Sequence, residues 1–240
     1  IQTISSDDVD FGYNGDSPIL NGASLSIESP GKYALVGRSG IGKSTMIDLL
    51  FRFYDVNRGT IKINGKNISD WDLASLRSSI SYVNQDTFLF NDTILYNITL
   101  GDSNISKEEV EEVAQAIGIH ETILSMPNGY NSIVGDQGVC LSGGQKQCIA
   151  IVRAVLQHNS VLIMDEATSG LDEHTEELVL KGISSLMKNG ITIVVSHRVS
   201  AIKDADEIFM IHEGQIMGKN NHDNLSKICP EYTELFNIAE

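Results

Sequence analysis

The sequence predicts an α/β chain: a parallel sheet with helices on both faces, a strand-rich first third, and a helical middle inserted into the α/β core. Three observations predict it. Tyr33-Ala34-Leu35-Val36 and Val161-Leu162-Ile163-Met164 are short apolar runs ending in glycine or carboxylates, as strands covered on both faces do. Strand and helix patterns alternate through the last third, with strands expected at 161–164, 191–195 and 207–211 and helices at 173–188, 199–204 and 231–238. That alternation implies parallel strands joined by crossover helices. Between these regions, helical periodicity replaces strand periodicity from about Ser106 onward.

The elements follow in chain order. Asp10-Phe11-Gly12-Tyr13 and Ala23-Ser24-Leu25-Ser26-Ile27 alternate in polarity as half-buried strands should. Thr60–Lys66 is a strand running into Asn64-Gly65, a pair that favours a tight hairpin turn. Ser106-Lys107-Glu108-Glu109 reads as a capping box, and behind it Val110, Val113, Ala114 and Ile117 share one helical face. Pro127-Asn128-Gly129-Tyr130 breaks the pattern. A long helix is expected from about Ser142, with Ile149, Val152 and Leu156 on one face.

Composition narrows the function classes. The 240 residues are 41% hydrophobic and 20% charged, which is ordinary for a globular chain. Seventeen Lys and Arg stand against 32 Asp and Glu, a formal charge of −15. Such a chain repels nucleic-acid phosphate, so no nucleic-acid partner is expected. Any anion must be held locally. No apolar run approaches the ~18 residues that span a membrane, and no signal peptide is visible. Three cysteines cannot make a full disulfide framework, and a reducing cytoplasm is the simplest compartment. Asn-x-Ser/Thr triplets at Asn67, Asn91, Asn97 and Asn104 are chance matches in that setting. The first residue is Ile rather than Met, so a longer parent chain is expected, and the lack of membrane spans here does not exclude spans upstream.

Gly37-Arg38-Ser39-Gly40-Ile41-Gly42-Lys43-Ser44 matches G-x-x-x-x-G-K-[ST] between a predicted strand and a predicted helix. Glycines let the backbone wrap a phosphate, and the helix N-terminus adds partial positive charge. Lys43 would sit between β- and γ-phosphates, and Ser44 would offer its hydroxyl to Mg²⁺, with Thr45 next in the same turn. The apolar strand 161–164 ends in Asp165-Glu166. Asp165 would reach Mg²⁺, and Glu166 would orient or deprotonate an attacking water.

Leu141-Ser142-Gly143-Gly144-Gln145 then resembles the signature sequence of ATP-binding cassette (ABC) ATPases. Ser142 stands where an N-cap would, with two glycines in the first turn, which makes a second anion site at a helix N-terminus. The resemblance implies a P-loop (RecA-like) parallel sheet with an N-terminal antiparallel β subdomain and an inserted helical subdomain. It assigns 1–85 and 158–240 to the core with its β subdomain, and 86–157 to the helical signature subdomain. It also implies that two Mg–ATP are sandwiched in a head-to-tail dimer, each between the phosphate loop of one subunit and the signature of the other. Tyr13 matches the aromatic that stacks on adenine, and Gln85 the glutamine that touches Mg²⁺ and the attacking water. Ser169-Gly170-Leu171-Asp172 resembles the loop that crosses the dimer interface, with Gly170 where Ala is usual. His197 matches the switch histidine that contacts the γ-phosphate. Cys148 stands where family members often carry Arg, and Cys140 where a polar residue is common; both are expected to be buried structural thiols.

Two stretches resemble exporters in particular: Gly129–Gly138 before the signature, and Phe88-Leu89-Phe90-Asn91-Asp92-Thr93-Ile94 with Asn97-Ile98 after the glutamine. Phe88, Leu89 and Phe90 suggest a docking groove for cytoplasmic coupling helices of a transmembrane domain, or packing between core and helical subdomain. The expected partners are thus a second ABC ATPase domain, with a homodimer favoured, and a membrane domain. That places the chain on the cytoplasmic face of the inner membrane, without direct contact to the cargo. The rival reading, a soluble ABC ATPase of DNA repair or translation, expects inserted coiled coils or basic surfaces. The sequence has no heptads and is acidic. The chain also resembles the ATPase half of bacterial microcin (lasso-peptide) exporters, which implies efflux of an antibacterial peptide; exporters of drugs or lipids share the same motifs.

Overall fold

The computed structural model describes residues 1–13, 18–135 and 138–237. Two sheets carry the architecture. The first is antiparallel, ordered β2-β1-β4-β5, from β1 (Ile4–Phe11), β2 (Leu20–Ile27), β4 (Arg58–Ile63) and the two-residue β5 (Lys66–Asn67). Asn64 and Gly65 both adopt positive φ, 51° and 74°, and close the β4–β5 hairpin as expected. The second sheet has six strands in the order β10-β9-β3-β8-β7-β6. These are β3 (Gly31–Val36), β6 (Ile80–Asn84), β7 (Val161–Asp165), β8 (Ile191–Val195), β9 (Glu207–His212) and β10 (Gln215–Asn220). All neighbours are parallel except β10, which returns antiparallel to β9.

The central strands show why they read as continuous apolar runs. Successive side chains leave opposite faces of a strand. Tyr33, Leu35, Ile163 and Phe209 join one core, between the two sheets and α1 (Lys43–Leu50). Ala34, Val36, Leu162 and Met210 join the other, beneath most of the remaining helices. Each buried apolar side chain contributes about 1.5–3 kcal/mol, so polar substitution on either face is disfavoured.

The second core holds α3 (Ile94–Thr99), α4 (Lys107–Ile117), α5 (His120–Leu124) and α6 (Gly143–Val155), with α7 (Glu173–Leu186) and α8 (Val199–Ile202). The short α2 (Leu73–Arg77) precedes β6, while α9 (His222–Ile228) and α10 (Pro230–Phe236) close the described chain. Val110, Val113, Ala114 and Ile117 of α4 are all buried, as their spacing predicts. The capping box at its start forms only by half. Ser106 accepts from the Glu109 N–H at 3.1 Å, but the Glu109 carboxylate reaches His158 at 2.7 Å. A long-range partner has displaced the local one.

Other expectations shift. The first strand ends at Phe11, so Gly12 and Tyr13 lie beyond it. The helices expected at 173–188 and 199–204 stop at Leu186 and Ile202, and residue 238 lies outside the described chain. Cys148 is buried, and burial pushes its thiol up to about 11. Cys140 is exposed, contrary to expectation: the chain approaches α6 extended, and the next residue, Leu141, takes the buried position.

Candidate functional site

The cavity lies where the parallel strands end. It measures about 690 Å³ and is lined by Ser39, Gly40, Gly42, Lys43, Ser44 and Thr45 together with Gln85, Asp165, Glu166 and His197. The turn after β3, the N-terminus of α1, and the ends of β6, β7 and β8 thus meet in one space. Ile19, Asn84 and Asp86 complete the lining and were not foreseen. Gly37, Arg38 and Ile41 belong to the same loop without lining the cavity.

The loop conformation follows from its glycines. Gly42 is the N-cap of α1 at φ 114°, and a Cβ there would lie 2.8 Å from Leu20. It offers no side chain, so among the described residues no side chain caps the first N–H groups of α1. Gly40, at φ 76°, has nothing within 4 Å of where a Cβ would stand. The Lys43 ammonium folds back over the loop and donates to the carbonyls of Gly37 (2.7 Å) and Arg38 (2.9 Å). Burial lowers its pKa, opposed by the charges of Glu166 and Asp165.

Two adjacent carboxylates face this ammonium. Burial holds both Asp165 and Glu166 above their ordinary pKa values. For Asp165, a hydrogen bond from the Tyr82 hydroxyl to Oδ2 (3.2 Å) and the Lys43 charge pull back. For Glu166 the His197 ring does so; its Nε2 stands 3.5 Å from Oε1. Glu166 has φ 53°, a left-handed conformation uncommon for a residue with a Cβ. Its N–H donates to the Val195 carbonyl at 2.9 Å, so the β8 end holds that conformation in place. Among the described residues, Glu166 Oε1 is buried and has no hydrogen-bond partner. An unsatisfied carboxylate oxygen in a cavity is a place for a donor that the polypeptide does not supply.

The donor set suits a hard divalent cation: the Ser44 hydroxyl, the Gln85 amide oxygen and the Asp165 carboxylate are all oxygen donors. The open space at Gly40, the free α1 N-terminus and Lys43 suit a polyphosphate. The site therefore fits Mg²⁺ with a nucleotide.

Tyr13 stands beside this cavity without lining it. Its ring meets Phe11 and Tyr54 edge-on, with centroids 5.0 and 5.1 Å away. Its hydroxyl donates to Asp48 of α1 at 3.1 Å and lies 3.4 Å from Thr45 Oγ1.

None of Leu141, Ser142, Gly143, Gly144 and Gln145 lines the cavity. Ser142 caps α6 with a full capping box. Its hydroxyl accepts from the Gln145 N–H (3.2 Å), and the Gln145 side chain accepts from the Ser142 N–H (2.9 Å). Asp172 caps α7, accepting from the Thr175 N–H at 3.0 Å and its hydroxyl at 2.6 Å, which lowers its pKa.

Sequence reasoning missed the side chains that hold the loop Ser169–Asp172. Gln147 of α6 accepts from the Gly170 N–H at 3.0 Å; a Cβ at Gly170 would come within 2.9 Å of the same Oε1. Glycine where Ala is usual therefore leaves room for this contact. From the other side Arg198, next to His197, donates to the carbonyls of Ser169 (2.8 Å) and Leu171 (3.0 Å). Glu176, 1% exposed, anchors this junction by accepting from Thr168 (2.7 Å) and Ser200 (2.5 Å), with Arg198 at 3.5 Å. Adjacency to His197 was the one signal that could have found Arg198.

The two exporter-like stretches pack on each other. Ile94 N–H donates to the Ser132 carbonyl and Val134 N–H to the Asp92 carbonyl, around a bridge between Thr93 and Ile133. Asp136 and Gln137 lie outside the described residues. Asn97 is fully buried and Arg153 of α6 donates to its carbonyl (2.6 Å) and to that of Phe88 (3.2 Å). Leu89 packs inward, while Phe88 (67%) and Phe90 (43%) stay exposed.

Comparison with known proteins agrees with this fold. The family model described as ABC transporter matches residues 20–169. The chain is 45% identical over 223 residues to the mitochondrial iron-sulfur clusters transporter ABCB7 of Danio rerio, covering 93% of this chain and 30% of that protein. It is 44% identical over 229 residues to the ATP-dependent lipid A-core flippase of Saccharophagus degradans, covering 95% and 39%. A solved bacterial Atm1-family ABC exporter with ATP bound superposes with a TM-score of 0.93 at 39% identity, over 100% of this chain and 42% of that one. The chain thus spans roughly a third of the length of these curated relatives.

Proposed function

Because the chain belongs to the ABC transporter family, we propose that it is the ATP-binding and ATP-hydrolysing domain of an exporter, closing head-to-tail with a second such domain around two Mg–ATP. One observation carries this reading. The cavity gathers Lys43, Ser44, Gln85, Asp165, Glu166 and His197, whereas the glycine-rich start of α6 lies outside it. That arrangement supports a site of which a single subunit supplies one part and the α6 N-terminus of a partner the rest.

In this reading the backbone of Gly37–Lys43 and the α1 N-terminus bind the phosphates, and Lys43 exchanges its carbonyl partners for phosphate oxygens. Ser44, Gln85 and Asp165 would hold Mg²⁺, which would supply neutralisation of phosphate charge. Glu166 Oε1, without a hydrogen-bond partner among the described residues, accepts from the attacking water and takes its proton. His197 holds Glu166 in orientation and reaches the γ-phosphate. Tyr13 serves adenine by its ring, once freed from its present edge-on packing.

The exposed Phe88 and Phe90 support a docking role toward coupling helices of a membrane domain. No described helix is long and apolar enough to cross a membrane, so the membrane attachment in this reading comes from that domain. The cytoplasmic face of an inner membrane is the location that follows. The relatives above carry iron–sulfur cluster and lipid A-core cargo in their names, and an antibacterial peptide as cargo rests on the microcin-exporter resemblance alone.

Glu166→Gln tests the chemistry. It should retain ATP binding, slow hydrolysis by ~10²-fold or more and accumulate an ATP-bound dimer, as measured by single-turnover hydrolysis and size-exclusion chromatography. Turnover near the wild-type rate would assign the base to another group.

A further inference from the structure

Among the described residues, Tyr82 is the one side chain that hydrogen-bonds Asp165, and it does so from outside the cavity. Its residue lies on β6, the edge strand, and is 43% exposed. In the parallel register Tyr82 pairs with Ile163, so Asp165 lies two residues further along the neighbouring strand and on the same face. An aromatic side chain spans that diagonal, and the hydroxyl arrives 3.2 Å from Oδ2. The ring has a fixed seat: it meets Phe51, the C-cap of α1, edge-on at 5.7 Å and 68°. Phe51 is buried, so the seat belongs to the core between the sheets. An exposed tyrosine hydroxyl without such constraints would donate to water. Here packing at one end and strand register at the other aim it at a carboxylate.

We propose that Tyr82 is a positioning residue for Asp165. By occupying Oδ2, its hydroxyl fixes the rotation of the carboxylate and leaves the other oxygen to the cavity, in the orientation that takes up a divalent cation with the nucleotide. The inference rests on the reading of Asp165 as a cation-holding group and adds a residue that does not line the cavity. Nothing in the phosphate-loop or signature motifs marks position 82; the assignment comes from the β6–β7 register.

The test measures Mn²⁺ binding by electron paramagnetic resonance on the full-length protein, with a saturating non-hydrolysable ATP analogue. Tyr82→Phe keeps the ring on Phe51 and removes only the hydroxyl. Because this hydrogen bond to a charged group is partly exposed, its loss should weaken Mn²⁺ about 3–10-fold. Affinity for the metal-free analogue should be unchanged, and excess Mg²⁺ should restore turnover. Asp165→Asn serves as the reference and should weaken Mn²⁺ more. Wild-type Mn²⁺ affinity in Tyr82→Phe alongside a weakened Asp165→Asn would overturn the role of Tyr82 and leave the function standing. Wild-type affinity in Asp165→Asn would overturn the reading of the cation site itself. A Tyr82→Phe protein that loses thermal stability and metal-free nucleotide affinity together would show a packing residue, and would also overturn the proposal.

Discussion

The N-termini of α1 and α6 both begin in glycine-rich sequence, yet they are finished differently. At α1 the N-cap is Gly42, which brings no capping side chain, and the Lys43 ammonium rests on two loop carbonyls. At α6 Ser142 and Gln145 satisfy each other's backbone N–H groups. The first terminus is open toward a cavity; the second is already capped by its own chain. A helix N-terminus attracts anions in proportion to the N–H groups left unpaired. In the proposed reading the α1 end holds a phosphate within one subunit, and the α6 end offers only the donors its capping box leaves over. That asymmetry suits a site in which one end captures the nucleotide and the other joins when a partner arrives.

The comparison breaks most directly by separating the two ends. Lys43→Ala should abolish nucleotide binding by a subunit, with an expected loss of ~10²-fold or more for a charged hydrogen-bonding group facing phosphate. Ser142→Arg should leave nucleotide binding by a single subunit intact and abolish turnover. Mixing the two inactive proteins creates a heterodimer with one intact site, so part of the ATPase activity should return, or one nucleotide should remain trapped on crosslinking. Activity independent of protein concentration, with neither rescue nor trapping, would mean each subunit holds a complete site.

Removing the cap sharpens the contrast at a smaller scale. Ser142→Ala deletes the acceptor for the Gln145 N–H, a change that typically costs ~1 kcal/mol. For a chain of this size that is a drop of about 2–4 °C in Tm, while nucleotide affinity of the single subunit stays the same. A Ser142→Ala protein as stable as wild type would show that the capping box contributes nothing to the free chain.

The smallest effect concerns the carboxylates at the open end. Burial raises the pKa of Glu166, so the folded chain retains a proton that the unfolded chain has released as pH climbs through the ordinary glutamate range, near 4.5. Stability falls through that window and the penalty persists at neutral pH. Glu166→Gln removes it. The nucleotide-free variant should melt higher than wild type at pH 7, by about 1–3 °C given solvent screening of a partly buried group. The gain should vanish near pH 4. No change with pH would locate the cost of this site in backbone strain at φ 53° rather than in charge.

What the sequence alone determined is what depends on short spacing. The phosphate loop, the α6 cap and the face of α4 each involve residues a few positions apart, and backbone geometry converts such spacing directly into structure. The two-faced burial of β3 and β7 was legible for the same reason, since a strand covered on both sides has no polar face to spare. Tertiary structure decided the contacts whose partners come from different elements. Tyr82 reaches Asp165 only through the β6–β7 register. Arg198 meets Glu176 and the Ser169 carbonyl because three turns converge at the ends of β7 and β8. Glu109 leaves its own helix cap for His158, 49 positions away. Tyr13 turns its hydroxyl to Asp48. Chain-local pattern specifies which element forms and which face is apolar. Which polar side chain satisfies which other depends on how those elements are stacked, and a buried or half-buried polar group takes the nearest geometrically sound partner, whatever its distance along the chain.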